Sequence, residues 1–187
     1  MSDETVAADV ILADPPWSYY GDQAKWGAAA KFYRTMSDQD LLDFPLVSEA
    51  LKPNGILFCW ATSPRLDFAL ECIRNWGLVY RGIAFVWVKT KKDGTPIGAQ
   101  GVRPSITKPL CEFVVAASRV AKGRPLPLRD EGVIQTVFAP KRQHSQKPDQ
   151  VQDAIDRMYP EATKLELFAR QRRPGWLSWG DELIAGG

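Results

Sequence analysis

The chain has 187 residues, 45% hydrophobic and 25% charged, with 24 Lys and Arg against 22 Asp and Glu for a formal net charge of +2. That length suits one domain with a sizeable core, here taken as residues 1–187, and the composition excludes a disordered or collagen-like chain. One histidine, His144, and three scattered cysteines without a C-x-x-C pair leave a multi-histidine, zinc or iron–sulfur centre short of ligands, so no metal is expected.

The opening MSDETVAAD is acidic and polar, the opposite of a signal peptide. No apolar run approaches the roughly 18 residues of a bilayer span, so a cytoplasmic protein without a membrane partner is expected. Five strand-length apolar runs follow: Val10–Ala13, Gly55–Thr62, Ile83–Val88, Glu112–Ala117 and Lys164–Phe168. Most are apolar on both faces, as in a parallel or mixed sheet covered on both sides. Cys59 and Cys72 lie in apolar surroundings and read as buried, reduced thiols. Between the strands, Leu41–Leu51 is a weak helical segment broken by Pro45 and stopped by Pro53-Asn54-Gly55. Leu66, Leu70, Ile73 and Trp76 predict a helix between Pro64 and Gly77. Val151, Ile155, Met158 and Tyr159 predict another, with Pro148 in its first turn. Alternating strands and helices predict an open α/β sheet with crossover helices. Two long connections, Ser18–Asp38 and Lys89–Pro109, are insertions or functional loops.

The sharpest local feature is Asp14-Pro15-Pro16-Trp17, directly after the first buried strand. Open α/β sheets place their ligand crevice at the carboxyl ends of strands, which is where Asp14 falls. Two prolines fix φ and hold their carbonyls rigid, and Trp17 adds a flat apolar face. A carboxylate, a fixed carbonyl and an indole together suit a planar base bearing an exocyclic amino group. Accepting both amino hydrogens would concentrate the nitrogen lone pair for attack on an electrophilic methyl group. Asp and Pro are also common in turns, so the bare triplet would read as a strand end.

This segment resembles the DPPW signature of N6-adenine methyltransferases related to the catalytic subunit of the messenger-RNA adenosine methyltransferase. Tyr33-Arg34-Thr35-Met36-Ser37-Asp38, Trp87-Val88-Lys89-Thr90, Ser145-Gln146-Lys147-Pro148 and Leu165-Glu166-Leu167-Phe168-Ala169-Arg170 with Gly175-Trp176 resemble further family blocks in the family's order. The resemblance spans roughly residues 10–183. It implies a Rossmann-like fold with a permuted motif order and a mixed, mostly parallel sheet, using S-adenosyl-L-methionine. It implies that Asp14, Pro15, Pro16 and Trp17 carry catalysis. It places Asp14, Lys147, Glu166, Arg170, Asp181 and Glu182 on the cofactor side, and Tyr33, Glu112 and Lys147 near the target base. Family members often have amides where this chain has Asp181 and Glu182; carboxylates can still accept from ribose hydroxyls. Each residue also has a plainer reading: a solvated Lys147 at a helix start, a Glu166–Arg170 pair, exposed Asp181 and Glu182, a packed Tyr33.

The small net charge hides an asymmetry. Between Lys89 and Lys147 twelve Lys and Arg face four acids, a local +8 against −6 for the remainder. Local basic density is what meets a phosphate backbone, so Lys91, Lys92 and Arg103 are expected to contact nucleic acid, while the lysines and arginines of 119–129 also suit a solvated face. The function expected is methyl transfer to the adenine N6 amino group in DNA, with RNA as the alternative. Other readings are a non-catalytic nucleic-acid-binding subunit and a small-molecule methyltransferase. A homodimer or a partner subunit could supply target recognition.

Overall fold

The computed structural model describes residues 7–18, 36–99, 103, 106–142, 146–180 and 183. Seven strands are described: β1 (Ala8–Ala13), β2 (Leu51–Thr62), β3 (Val79–Thr90), β4 (Cys111–Ser118), β5 (Thr136–Pro140), β6 (Lys164–Leu167) and β7 (Trp176–Trp179). They form one sheet in the order β5-β3-β4-β2-β1-β6-β7. β1 runs parallel to β2 and β6, β6 to β7 and β3 to β5, whereas β4 is antiparallel to both β2 and β3. The sheet is therefore mixed and mostly parallel, as expected. Its carboxyl edge gathers the residues after β1, β2, β3, β5, β6 and β7 together with the first residues of β4.

Alternation along the central strands divides the core. Ile11, Ala13, Leu57, Cys59 and Ala61 pack with the helices α1 (Asp38–Leu42), α2 (Leu46–Ala50) and α3 (Leu66–Asn75). Val10, Leu12, Phe58 and Trp60 face α4 (Asp149–Met158) on the other side. The α3 stripe is rotated from the one expected. Phe68, Ala69, Cys72 and Ile73 are its buried residues, with Leu66 and Leu70 only partly covered. Small side chains at 69 and 72 let the helix lie close to the sheet.

The weak Leu41–Leu51 segment divides at Pro45, as its sequence predicts. α1 opens on Ser37, whose hydroxyl accepts from Asp40 N–H while the Asp40 carboxylate accepts from Ser37 N–H, a capping box. Pro53-Asn54-Gly55 differs from the expected stop: it lies inside β2. The pairing passes from Ala8↔Leu51 to Val10↔Ile56, so extra β2 residues bulge opposite Asp9. A Cβ on Gly55 would meet Leu51 Cδ1 at 2.6 Å and the Asp9 carbonyl at 3.0 Å, so a larger residue would have to displace the Leu51 side chain. Pro148 stands one residue earlier than foreseen, as the cap of α4. β5 and β7, absent from the sequence reading, are the two edge strands. They are short and partly exposed, with Phe138 62% exposed and Trp179 39% exposed; Val137-Phe138-Ala139 is an apolar run too short to stand out, and Ser178 interrupts β7.

Candidate active site

β1 ends with Ala13 between Cys59 of β2 and Leu167 of β6. The Asp14 N–H then donates to the Leu167 carbonyl at 3.3 Å, tying the turn to the neighbouring strand end. Trp17 N–H donates to the Pro15 carbonyl at 2.8 Å, so that carbonyl is committed to the turn. The indole N–H of Trp17 donates to the Trp60 carbonyl at 3.0 Å, and its ring meets Phe68 edge-on with centroids 6.0 Å apart. At 7% exposure Trp17 has little face left for a base. The open stacking platform expected from sequence is corrected here: the indole is an anchor that fixes the turn to β2. Beyond it, Ser18 Oγ donates to Asp38 Oδ1 at 2.8 Å, and the guanidinium of Arg65, 1% exposed, meets the same oxygen at 2.6 Å.

Asp14 opens a chain of buried charge. Lys147 Nζ lies 3.0 Å from Asp14 Oδ1 and 3.0 Å from Glu112 Oε2. The second contact is an ion pair without hydrogen-bond alignment. The other Glu112 oxygen, Oε1, accepts from Lys89 Nζ. Tryptophans floor the chain: Lys147 Nζ is 5.4 Å from the Trp60 ring centre and Lys89 Nζ 5.0 Å from that of Trp87. The two indoles pack edge-on, and Trp87 is held by its own N–H bond to the Ala139 carbonyl. Burial works to raise the Glu112 pKa, but Lys147 and Lys89 overcome it and hold the carboxyl below its usual range. Burial likewise opposes charge on Lys147, yet Asp14 and Glu112 hold its pKa well above the ordinary lysine value. Lys147 is thus fixed as a cation at neutral pH and can orient Asp14, but cannot shuttle protons there.

On the other side of β1, Glu166 of β6 lies in register with Leu12 and Ser178. Its Oε2 accepts from Gln152 Nε2 of α4 at 2.9 Å. Burial raises this carboxyl to about 7, with Gln152 acting the other way and the nearby Asp14 adding to the rise. After β6 the chain turns at Phe168, whose φ of 61° is unusual outside glycine. Phe168 packs against Phe44 and Trp179 with centroids 4.9 and 5.6 Å away, and Ala169 N–H donates to the Trp179 carbonyl. Gly180 crosses so close that a Cβ would stand 2.3 Å from the Ala169 carbonyl.

Of the residues singled out in the sequence, Asp14, Glu112 and Lys147 meet directly and Glu166 lies across β1 from them. Arg170 is partly buried after β6. Lys91 and Lys92 are exposed beyond β3, and Arg103 is exposed. Tyr33, Asp181 and Glu182 lie outside the described residues, as does His144. The basic stretch is not one surface. β4 carries the chain from the carboxyl edge at Cys111 to the opposite edge at Ser118, so 119–129 fall away from the crevice. There Arg119 donates to the Ser48 carbonyl and Arg124 pairs with Glu131. Trp60 and Gln152 belong to the site but were not singled out, and Lys89 entered only through the Trp87–Thr90 block and the basic stretch. Lys89 had a signal, a lysine ending an apolar strand; the other two had none beyond ordinary strand and helix patterning.

A mostly parallel seven-stranded sheet with one inserted antiparallel strand, and a carboxylate at the end of the interior strand β1, defines a Rossmann-like methyltransferase fold. The chain belongs to the MT-A70 family of N6-adenine methyltransferases, whose profile matches residues 8–182. It is 32% identical to the type II methyltransferase M.MunI of Mycoplasma sp over 93% of this chain and 77% of that protein. It is 33% identical to a probable N(6)-adenosine-methyltransferase MT-A70-like protein of Oryza sativa subsp. japonica, and 29% identical to the Homo sapiens N(6)-adenosine-methyltransferase catalytic subunit. Each of those matches covers 93% of this chain but only 23% and 28% of the relative, so the chain spans about a quarter of their length.

Proposed function

We propose that this chain is a single catalytic domain that methylates the N6 amino group of adenine in nucleic acid, with DNA the favoured polymer. The observation that carries the reading is the position of Asp14: at the carboxyl end of β1, between β2 and β6, with one oxygen held by Lys147. The remaining Asp14 oxygen and the Pro16 carbonyl would accept the two amino hydrogens, since Pro15 is engaged by Trp17 N–H. Trp17, pinned to the Trp60 carbonyl, keeps those acceptors in place. Rigid placement of this kind, with no covalent enzyme intermediate, would supply most of the acceleration.

S-adenosylmethionine, when bound, supplies the methyl group as an electrophile. The chain fits such a molecule on the β6–β7 side. Glu166 is a half-buried carboxyl that accepts from Gln152 and has acceptor capacity left for hydroxyl or cationic groups. Arg170, Asp181 and Glu182 are assigned to the same side by their place after β6 and β7. Lys147 is assigned to orient Asp14 toward both ligands. Tyr33 and Glu112, with Lys91, Lys92 and Arg103 further out, are assigned to the polynucleotide.

DNA is favoured because M.MunI, covered over most of its length, is a type II methyltransferase. The relatives named adenosine methyltransferases keep RNA as the second reading. Transfer of labelled methyl groups to single- and double-stranded DNA and to RNA, with nucleoside mass spectrometry of the products, separates the two. N6-methyladenine in DNA is expected, falling at least about 100-fold in Asp14→Ala with the fold retained. A folded Asp14→Ala protein with near-normal turnover would falsify the mechanism.

A further inference from the structure

Beside the charge chain, and on the opposite side of Asp14 from β6, lies a cavity of about 620 Å³ over the carboxyl ends of β2, β3 and β5 and the start of β4. Its size is in the roughly 300–1,000 Å³ range of pockets that enclose a nucleotide-sized ligand. Among the described residues, four lysines line it, Lys89, Lys91, Lys92 and Lys141, against a single carboxylate, Glu112. Between the lysines the wall is apolar, from Pro64, Ile97, Ala99, Leu110 and Pro140. Apolar wall under clustered cations suits a base packed against it while its phosphates are met at the rim.

The wall is built, not incidental. The chain after β3 turns back at Lys91–Thr95, where Lys91 N–H donates to the Thr95 carbonyl at 2.8 Å. Ile97 N–H then donates to the Lys89 carbonyl at 2.9 Å, and Ala99 N–H to the Pro109 carbonyl at 2.8 Å. Lys89 N–H in turn donates to the Leu110 carbonyl, which closes the strand end on that wall.

We infer that this cavity takes the nucleotide adjacent to the target adenosine in the polynucleotide, and so reads sequence context; the inference rests on the nucleic-acid reading above. No residue of the Asp14–Trp17 turn lines the cavity. The pair Glu112–Lys147 stands between it and Asp14. Among the described residues the only carboxylate in the wall already serves two lysines, so an adenine amino group placed there would lack the acceptor that Asp14 offers. The reacting base belongs at Asp14, and the cavity next door holds its neighbour.

The test uses the full chain and short single-stranded DNA bearing one adenine, with an abasic site at that adenine, at either neighbour, or nowhere. Binding is read by fluorescence anisotropy. For the wild type, an abasic site at one neighbour should weaken binding roughly ten-fold. Ala99→Trp, which fills the cavity, should bind intact DNA and that abasic DNA equally, while remaining sensitive to loss of the adenine. A variant that still distinguishes the neighbour overturns the assignment. So does one whose lost sensitivity is to the adenine, because the cavity would then take the target base. If no oligonucleotide binds the wild type, the nucleic-acid reading itself fails. Cys111 gives a second readout on the unaltered chain, because it lines the cavity while Cys59 and Cys72 are buried. Intact DNA should slow its alkylation by iodoacetamide and the neighbour-abasic DNA should not; equal protection by both overturns the inference.

Discussion

Glu112 and Glu166 are both largely buried carboxylates at the same edge of the same sheet, yet their surroundings push them in opposite directions. Glu112, on the β4 side, is gripped by Lys147 and Lys89 and held below the usual carboxylate range. Glu166, on the β6 side, has a neutral amide for a partner and rises to about 7. Burial acts the same way on both; at Glu112 two lysines outweigh it, whereas at Glu166 the pull of Gln152 and Arg173 is outweighed by burial together with the nearby Asp14 and Asp149. The β4 side is electrostatically complete and preorganised before any ligand arrives. The β6 side is left with a carboxyl that wants a donor or a cation, which is what a ligand bearing hydroxyls and a positive charge would bring.

Removing the shared cation should break this contrast most severely. Lys147→Met leaves Asp14 and Glu112 facing each other without their common partner. The expected loss is about 3–5 kcal/mol in urea denaturation, as for other buried pairs stripped of one member. Methyl transfer should fall below detection even where the variant is fully folded. A variant with wild-type stability would mean that Asp14 and Glu112 are solvated well enough to need no cation, and the buried chain would not describe the protein.

Glu112→Gln should have a smaller effect of the same sign, because Lys147 keeps Asp14 and Lys89 stays nearer to water. About 2 kcal/mol of destabilisation is expected, since truncating one member of a hydrogen-bonded charge pair removes a charge-assisted bond. Methyl transfer should drop through a misplaced Lys147 while affinity for S-adenosylmethionine stays within a few-fold. An unchanged turnover with the same loss of stability would reduce Glu112 to a purely structural group.

What the sequence disclosed follows the same division. The strand after which Asp14 falls was legible because VILA is apolar on both faces, and Ala13 is indeed fully buried between two strands. α4 was legible from Val151 and Ile155, both fully buried on one stripe. The edge strands β5 and β7 were not, because the apolar stretch of β5, Val137-Phe138-Ala139, is only three residues before Pro140 and β7 is four residues broken by Ser178. The bulge at Pro53-Asn54-Gly55 looked like a stop because its turn residues are local, whereas the pairing that absorbs them with Asp9 is not. The triplet Asp14–Lys147–Glu112 joins residues scattered over the chain, and only the family blocks hinted that they meet. Lys89 and Gln152 complete the two carboxylate environments through register and helix face, which no single segment encodes.

The smallest effect expected is also the one that sharpens the contrast, because it reads Glu166 through pH alone. A carboxyl raised from its ordinary 4.5 to about 7 keeps its proton more tightly in the folded chain than in the unfolded one. Its stabilising contribution is then fully present below about 4.5 and is lost as pH rises through about 7. Glu166→Gln removes that titration and keeps an oxygen for Gln152, so relative to the variant the wild type should lose on the order of 2 kcal/mol between pH 4.5 and 8, the full shift being trimmed for partial exposure to water. Urea denaturation of both proteins at pH 5 and pH 8 measures the difference, and parallel stability curves would remove the raised carboxyl from the account. Adding S-adenosylmethionine to the wild type should flatten its curve. A donor or cation beside Glu166 favours the charged form and draws its pKa back toward that of Glu112, which is the state the β4 side occupies without any ligand.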